Sequence, residues 1–146
     1  MKIAIIGIGK MGSWLAKTLS ASHEVAVYDR NPGKLSGLGS ARALESPSGL
    51  SSFAPDMLIN SVSLQNTISA FGECTAHLPA GCVICDVASV KAGLREYYAA
   101  CGFKFASVHP MFGPTFANMA SLEGENAVVI RESDPAAADF FRKFFS

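Results

Sequence analysis

The feature that most constrains this sequence is a group of three glycines between a short apolar run and an amphipathic segment. The apolar run is Lys2–Ile6, the amphipathic segment covers residues 11–20, and the glycines are Gly7, Gly9 and Gly12. A short run rich in isoleucine is typical of a buried strand, and apolar side chains recur at helical spacing in the second segment. The sequence therefore predicts a strand, a glycine turn and a helix in direct succession.

This succession predicts a loop that binds the pyrophosphate of a nicotinamide dinucleotide. Gly7 permits the tight turn, Gly9 lets the backbone approach the pyrophosphate, and Gly12 lets the helix pack closely on the strand. N–H groups in the first turn of a helix lack an intrahelical acceptor and therefore favour a phosphate. The alternative is a helix start with incidental glycines. The predicted loop residues are Gly7, Ile8, Gly9, Lys10, Met11 and Gly12.

An acidic residue follows the second predicted strand, Glu24–Tyr28. Asp29 lies near the distance of about 20 residues at which dinucleotide-binding folds place a carboxylate for the adenine ribose hydroxyls. Such a carboxylate also repels a 2′-phosphate, so NAD is favoured over NADP. Arg30 can lie against adenine or pair with a 2′-phosphate, so NADP is the alternative cofactor.

The remaining pattern predicts an α/β fold: a doubly wound, mostly parallel Rossmann-type sheet with helices on both faces. The 146 residues are 49% hydrophobic, enough for one substantial core, and we expect residues 1–146 to form a single dinucleotide-binding domain. Strands are predicted over residues 2–6, 24–28, 40–44, 57–61, 82–87, 103–108 and 127–131. Helices are predicted over residues 11–20, 34–38, 46–53, 66–77, 91–101 and from 135 toward 145.

Composition excludes several classes of partner. The 12 basic and 12 acidic residues give a net charge of zero, and no basic stripe predicts nucleic-acid binding. No apolar run reaches the roughly 18 residues of a membrane span. Glycines interrupt the first apolar stretch, so we expect no signal peptide and a cytoplasmic protein whose partner is a small-molecule substrate.

The spacing of Cys82 and Cys85 raises the question of metal or redox chemistry. Both fall in a predicted strand, where an offset of three residues places side chains on opposite faces of the sheet. We therefore expect two core thiols and no metal site.

Three further segments follow predicted strands and should lie at the cofactor edge of the sheet, because ligands bind outside the carboxyl ends of parallel strands. Residues 61–63 should line the cofactor groove, although simple loop polarity also explains them. Residues 86–91 and 109–115 should converge on the nicotinamide side. The groove residues are Ser61, Val62 and Ser63.

His109 is the candidate proton acceptor, because histidine side chains ordinarily titrate near neutrality. Ser89 could hydrogen-bond the substrate or the imidazole. A lone histidine is more often a cap or core residue, but this one starts a segment that Pro110, Gly113 and Pro114 make rigid. Lys91 either caps the groove or begins a helix.

Three segments together resemble the prephenate dehydrogenases of tyrosine biosynthesis. They are residues 7–12 (GIGKMG), 86–91 (DVASVK) and 109–114 (HPMFGP), of which the last is the most specific. The resemblance covers essentially the whole chain and implies the amino-terminal cofactor domain of an enzyme that oxidatively decarboxylates prephenate to 4-hydroxyphenylpyruvate with NAD or NADP. Some members of the family prefer arogenate. The resemblance implies that His109 is catalytic, bonding the ring hydroxyl, and that Ser89 assists there.

Members of that family continue into a helical domain that dimerises and supplies an arginine for the substrate carboxylates. Residues 1–146 do not contain it, and Arg95 falls on a predicted helix away from the groove. We therefore expect this chain alone to bind cofactor and to catalyse poorly. The phenylalanine-rich residues 140–145 should pack on the sheet or on a further domain. Without that domain they would be exposed and would promote a homodimer.

Two alternatives stay open. A β-hydroxyacid dehydrogenase would share the glycine loop but not the HPMFGP segment. A stand-alone dinucleotide-binding or sensing domain would bind cofactor without turnover.

Overall fold

The computed structural model describes residues 1–112 and 121–146. Residues Gly113, Pro114 and Thr115 of the predicted rigid segment lie outside the described residues. The strands are β1 (Lys2–Ile6), β2 (Glu24–Tyr28), β3 (Arg42–Ala43), β4 (Met57–Asn60), β5 (Val83–Asp86), β6 (Lys104–Pro110) and β7 (Ala127–Val129). The helices are α1 (Lys10–Leu19), α2 (Gly49–Phe53), α3 (Thr67–Thr75), α4 (Leu94–Cys101) and α5 (Pro135–Phe144).

The described strands form one sheet in the order β3-β2-β1-β4-β5-β6-β7. Neighbours from β3 to β6 pair in parallel, and β7 pairs antiparallel with β6. Chain connections leave β1 in both directions, so the sheet is doubly wound, as the sequence predicts. The carboxyl ends of β1, β2, β4, β5 and β6 consequently meet at one edge.

Apolar side chains cover the sheet on both faces because successive residues of a strand point to opposite sides. Along β1, Ile3 and Ile5 pack with Leu15 of α1 and Phe141 of α5. Ala4 and Ile6 face the other cluster, which contains the buried side chains of α2, α3 and α4. The two cores fix the layers that enclose the carboxyl edge.

Two helices start or end where local chemistry predicts. The carboxylate of Asp134 accepts a hydrogen bond from the Ala137 N–H, and Pro135 occupies the first helical turn of α5. Helix α4 ends at Gly102, whose φ of 77° belongs to the left-handed region.

The prediction of core thiols is confirmed for the cysteine pair. Cys82 belongs to one core cluster and Cys85 to the other, on opposite faces of the sheet. Burial raises the pKa of Cys82 to about 12 and the pKa of Cys85 well above its ordinary value. No group of three or more His, Cys, Asp or Glu side chains suited to a metal ion occurs in the described residues.

Two of the differences between predicted and observed boundaries bear on the site. Strand β6 extends through Pro110, because Val108, His109 and Pro110 pair with β7; His109 therefore lies within a strand and not in the following loop. Helix α4 begins at Leu94 and not at Lys91, because Gly93 has a φ of 77°, in the left-handed region, which a right-handed helix cannot include.

The phenylalanine-rich carboxyl-terminal helix packs on the sheet. Phe141 is fully buried, and Phe140, Phe144 and Phe145 pack against the same core cluster. The ring of Trp14 in α1 lies 5.6 Å from that of Phe144. Among residues 1–112 and 121–146, no helix combines the length and apolar character that crossing a bilayer requires.

Candidate functional site

The glycine loop joins β1 to α1 in a very close packing of backbones. Gly7 has a φ of 82°, and a Cβ there would lie 2.5 Å from the Val62 backbone nitrogen. A Cβ on Gly12 would lie 2.0 Å from the Gly7 carbonyl oxygen, so α1 could not approach the loop with any larger residue. Gly9 caps the helix, and a Cβ there would meet nothing within 4 Å. The space beside Gly9 is thus open at the helix start.

The carboxylate of Asp29 stands beside this loop. Its Oδ2 accepts a hydrogen bond of 2.7 Å from the Ile8 N–H, and its Oδ1 accepts one of 2.7 Å from the Asn31 N–H. The same residue therefore links the end of β2 to the glycine loop. Asn31 in turn accepts from the Gly33 N–H and starts a short 3-10 turn at Pro32–Lys34.

Asn60 positions the wall of the groove that follows β4. It is 2% exposed at the end of β4. Its Nδ2 donates to the Thr67 carbonyl, and its Oδ1 accepts from the Val62 N–H at 3.2 Å. The Ser61 N–H donates to the Ile6 carbonyl at 2.8 Å. One buried amide thus fixes both the segment after β4 and the start of α3.

These elements enclose a cavity of about 360 Å³ at the carboxyl edge. Seven of the predicted cofactor residues line it: Gly7, Gly9, Asp29, Arg30, Ser61, Val62 and Ser63. The other lining residues are Ile6, Tyr28, Lys34, Asn66, Ala70, Glu73 and Cys74. We name this space the adenosine-side cavity, because it extends from the glycine loop past the end of β2.

The other predicted loop residues contribute to the frame of the loop and not to the cavity wall. Ile8 is buried and presents its N–H to Asp29. Gly12 faces the Gly7 carbonyl, and Met11 packs against the core. Lys10 is exposed in the first turn of α1.

A second polar group lies at the carboxyl ends of β5 and β6. Asp86 is completely buried. It accepts hydrogen bonds from the Lys91 ammonium, the Tyr98 hydroxyl at 2.6 Å and the Ala88 N–H at 3.1 Å. The Lys91 ammonium also donates to the Val108 carbonyl at 2.7 Å. This ion pair therefore joins the segment after β5 to the residue that precedes His109.

Burial dominates the electrostatics of this second group. It lowers the pKa of Lys91, an effect that the attraction of Asp86 opposes. Burial together with the Asp86 charge raises the pKa of Tyr98. Tyr98 therefore stays a neutral donor to Asp86.

The two predicted chemical residues lie near this second group at the same edge of the sheet. His109 is half-buried near the end of β6, paired with Val128 of β7. Ser89 is exposed in the segment after β5. Neither lines the adenosine-side cavity. The parallel pairing of β5 and β6 brings their two segments side by side.

Several residues at the site were not predicted. Lys34 and Glu73 line the cavity because the turn after Asn31 and helix α3 form part of its wall. Asn60 and Tyr98 act through hydrogen bonds to partners distant in sequence. A polar residue at the end of an otherwise apolar strand is the signal that could have indicated Asn60.

A doubly wound sheet with a glycine loop after its first strand and a carboxylate after its second defines a dinucleotide-binding domain. The sequence matches the family model described as the NAD binding domain of 6-phosphogluconate dehydrogenase over residues 2–102. The chain belongs to this family of NAD-binding domains. The open space beside Gly9 and the Asp29 carboxylate fit the pyrophosphate and ribose of that cofactor. No curated protein is similar to the sequence at a significant level.

Three solved structures illustrate the fold. Prephenate dehydrogenase from A. aeolicus, in complex with hydroxyphenyl propionate and NAD+, is 20% identical with a TM-score of 0.81, covering 99% of this chain and 56% of that one. Synechocystis arogenate dehydrogenase is 22% identical with a TM-score of 0.77, covering 98% and 55%. Mycobacterium tuberculosis 3-hydroxyisobutyrate dehydrogenase is 20% identical with a TM-score of 0.79, covering 99% and 50%.

At these identities the likeness is one of fold. The chain spans about half the length of the solved structures to which it is similar.

Proposed function

We propose that this chain is the cofactor domain of a prephenate dehydrogenase, which oxidatively decarboxylates prephenate to 4-hydroxyphenylpyruvate. The observation that carries the proposal is the Lys91 ammonium, which binds Asp86 and the Val108 carbonyl and so holds the 86–91 segment beside the start of the segment from His109. These are two of the segments whose sequences resemble that family. Likeness to the A. aeolicus and Synechocystis structures supports it.

In this proposal the residues of the glycine loop and of the cavity hold the cofactor. The N–H groups at the start of α1 face the pyrophosphate, and Asp29 faces the adenine ribose. Asp29 would keep its bond to the Ile8 N–H and accept from the ribose hydroxyls with its remaining lone pairs, which favours NAD over NADP. Ser61, Val62 and Ser63 line the cofactor groove beside the glycine loop.

The bound nicotinamide would accept a hydride from the ring carbon that bears the substrate hydroxyl. His109 would take the hydroxyl proton as the hydride leaves and return it to the oxygen of the aromatic product, and Ser89 would hydrogen-bond the same hydroxyl. The departing carboxylate leaves as carbon dioxide, and the ring becomes aromatic. The protein therefore has mainly to orient substrate and cofactor and to accept one proton.

The test is turnover of prephenate with NAD+ by the full-length protein that contains residues 1–146. We expect His109→Ala to lower kcat by about 100-fold to 10,000-fold, the usual contribution of general acid–base catalysis, and to leave NAD+ affinity unchanged. Turnover at the wild-type rate in that variant would overturn the assignment of His109. Arogenate and NADP+ are assayed in parallel, because the proposal leaves both choices to the measurement.

The second candidate is a β-hydroxyacid dehydrogenase, favoured by the likeness to 3-hydroxyisobutyrate dehydrogenase. NAD+-dependent oxidation of hydroxyisobutyrate without activity on prephenate would support it. Binding of NAD+ with no turnover of either substrate by the full-length protein would instead support a dinucleotide-sensing domain.

The proposal places the enzyme in the cytoplasm, in keeping with four cysteines that are free thiols. It includes a helical region beyond the cofactor domain that supplies the arginine for the substrate carboxylates and forms a homodimer.

A further inference from the structure

An ion pair crosses the adenosine-side cavity. The guanidinium of Arg30, just after β2, is hydrogen-bonded to the carboxylate of Glu73 on α3. Both residues line the cavity, and their side chains are 64% and 41% exposed. Helix α3 is held in place by the bond from Asn60 to the Thr67 carbonyl. The pair therefore links two separately anchored walls of the cavity.

The charged residues lining this cavity in the described chain are two cations and two anions. The cations are Arg30 and Lys34, and the anions are Asp29 and Glu73. Asp29 already accepts two backbone N–H bonds, so its carboxylate is fixed against the chain. Glu73 is the acid that engages Arg30. The formal charge of the four side chains is zero while Glu73 is present.

We propose that Glu73 is a specificity-determining residue that keeps Arg30 away from a 2′-phosphate and so favours an unphosphorylated adenine ribose. The proposal rests on the placement of that ribose at Asp29 given above. A 2′-phosphate carries nearly two negative charges, and an arginine next to the ribose is its natural partner. With Glu73 present, Arg30 must break its ion pair before it can bind the phosphate. With Glu73 absent, Arg30 is free of that competition.

The size of the effect follows from the exposure of the pair. Ion pairs between exposed side chains are weak, because water screens them and side-chain ordering opposes them. Breaking such a pair therefore changes the preference by a modest factor, and removing a nearby negative charge adds to it. We expect about a five-fold change in the ratio of affinities.

The experiment is calorimetric titration of the chain and of Glu73→Gln with NAD+ and NADP+. Glutamine keeps the size of the side chain and removes its charge. We expect the ratio of the NADP+ Kd to the NAD+ Kd to fall about five-fold in Glu73→Gln, with the NAD+ Kd nearly unchanged. The probes 5′-AMP and 2′,5′-ADP, which differ only in the 2′-phosphate, should show the same change, which places the effect at the 2′ position.

Two matched variants separate the loss of the Arg30–Glu73 ion pair from the loss of one negative charge anywhere on the chain. Asp139→Asn removes the same charge from the exposed Asp139–Arg142 pair on α5, outside the cavity, and should leave the ratio unchanged. In Arg30→Gln, the further change Glu73→Gln should lower the ratio by less than in the wild-type chain, because the released partner is gone and only the loss of a nearby negative charge remains.

An unchanged or increased ratio in Glu73→Gln would overturn the proposal, as would an undiminished effect of Glu73→Gln in the Arg30→Gln background. Failure of the chain to bind either cofactor would overturn it as well. Prephenate turnover does not enter these readouts, so the enzymatic proposal can fail while this one stands.

Discussion

Gly12 is the residue at which the sequence pattern and the packing agree most closely. Helix α1 lies against the glycine loop with no room for a Cβ between Gly12 and the Gly7 carbonyl. Because the obstructing atom belongs to the backbone, no side-chain rotation can relieve the contact. The helix would have to move away from β1, and the loop geometry would move with it.

We expect Gly12→Ala to lower the free energy of unfolding by about 1–3 kcal/mol, the usual cost of inserting a methyl group into tight packing. The proposed pyrophosphate contacts should be lost at the same time. Urea unfolding followed by circular dichroism and titration with NAD+ measure the two effects.

Gly9→Ala is the matched comparison, because its Cβ would meet no protein atom within 4 Å. We expect its free energy of unfolding to stay within about 0.5 kcal/mol of the wild-type value, apart from any gain or loss at the helix cap. NAD+ affinity should nevertheless fall, since the added methyl group enters the proposed phosphate position. Unchanged NAD+ affinity in Gly9→Ala would count against that position.

Some residues that line the cavity are placed there by short sequence segments, and others are placed there only by tertiary packing. Gly7, Gly9 and Asp29 line the cavity as predicted, because short segments of sequence fix a turn and a strand end. Glu73 was not predicted, because the sequence does not indicate which surface an exposed glutamate on a helix will face. Only the packing of α3 brings it to Arg30.

At the scale of elements, the Lys91 ammonium joins two strand ends. It binds Asp86 at the end of β5 and the Val108 carbonyl in β6. Asp86 has no exposure to solvent, so its charge depends on these partners. The sequence left open whether Lys91 caps a groove or starts a helix. In the structure the helix starts later, at Leu94, and the ammonium is engaged by Asp86 and Val108.

We expect Lys91→Met to lower the free energy of unfolding by about 3 kcal/mol, because it leaves a buried carboxylate without its cation. The double variant Lys91→Met with Asp86→Asn should recover part of this loss, since the amide carries no charge. Urea unfolding of the two single variants and the double variant forms the cycle. Strict additivity would show that the two side chains do not interact.

At the scale of the whole molecule, the buried thiols make the free energy of unfolding decrease at alkaline pH. Burial raises the pKa of Cys74 and of Cys82 from 9.0 to about 12 in the folded chain. Between pH 9 and 12 the unfolded chain loses these protons while the folded chain keeps them. Stability contributed by each thiol is therefore complete below pH 9 and is lost as pH rises toward 12.

We expect the free energy of unfolding to fall above pH 9 by as much as about 1.4 kcal/mol per pH unit for each such thiol. Tyr98, whose pKa is also raised, acts in the same direction above pH 10. Lys91, whose pKa is lowered, acts in the opposite direction as pH rises toward 10.5. Urea unfolding at several pH values under reducing conditions measures the net slope.

Cys74→Ala isolates the contribution of one thiol. The substitution lowers stability at every pH because it removes a buried side chain, but the slope above pH 9 should become shallower than in the wild-type chain. An unchanged slope would show that this thiol does not couple ionisation to folding.

The sequence by itself determined the order of strands and helices, the glycine loop, the carboxylate after β2 and the separation of Cys82 from Cys85. Each of these depends on a few neighbouring residues, because strand alternation, turn chemistry and helical spacing are local. Only the tertiary structure decided that His109 lies within β6, that Lys91 links β5 to β6, and that Glu73 faces Arg30. Those facts depend on β7 pairing antiparallel and on α3 packing over the sheet, which are contacts between segments far apart in the chain.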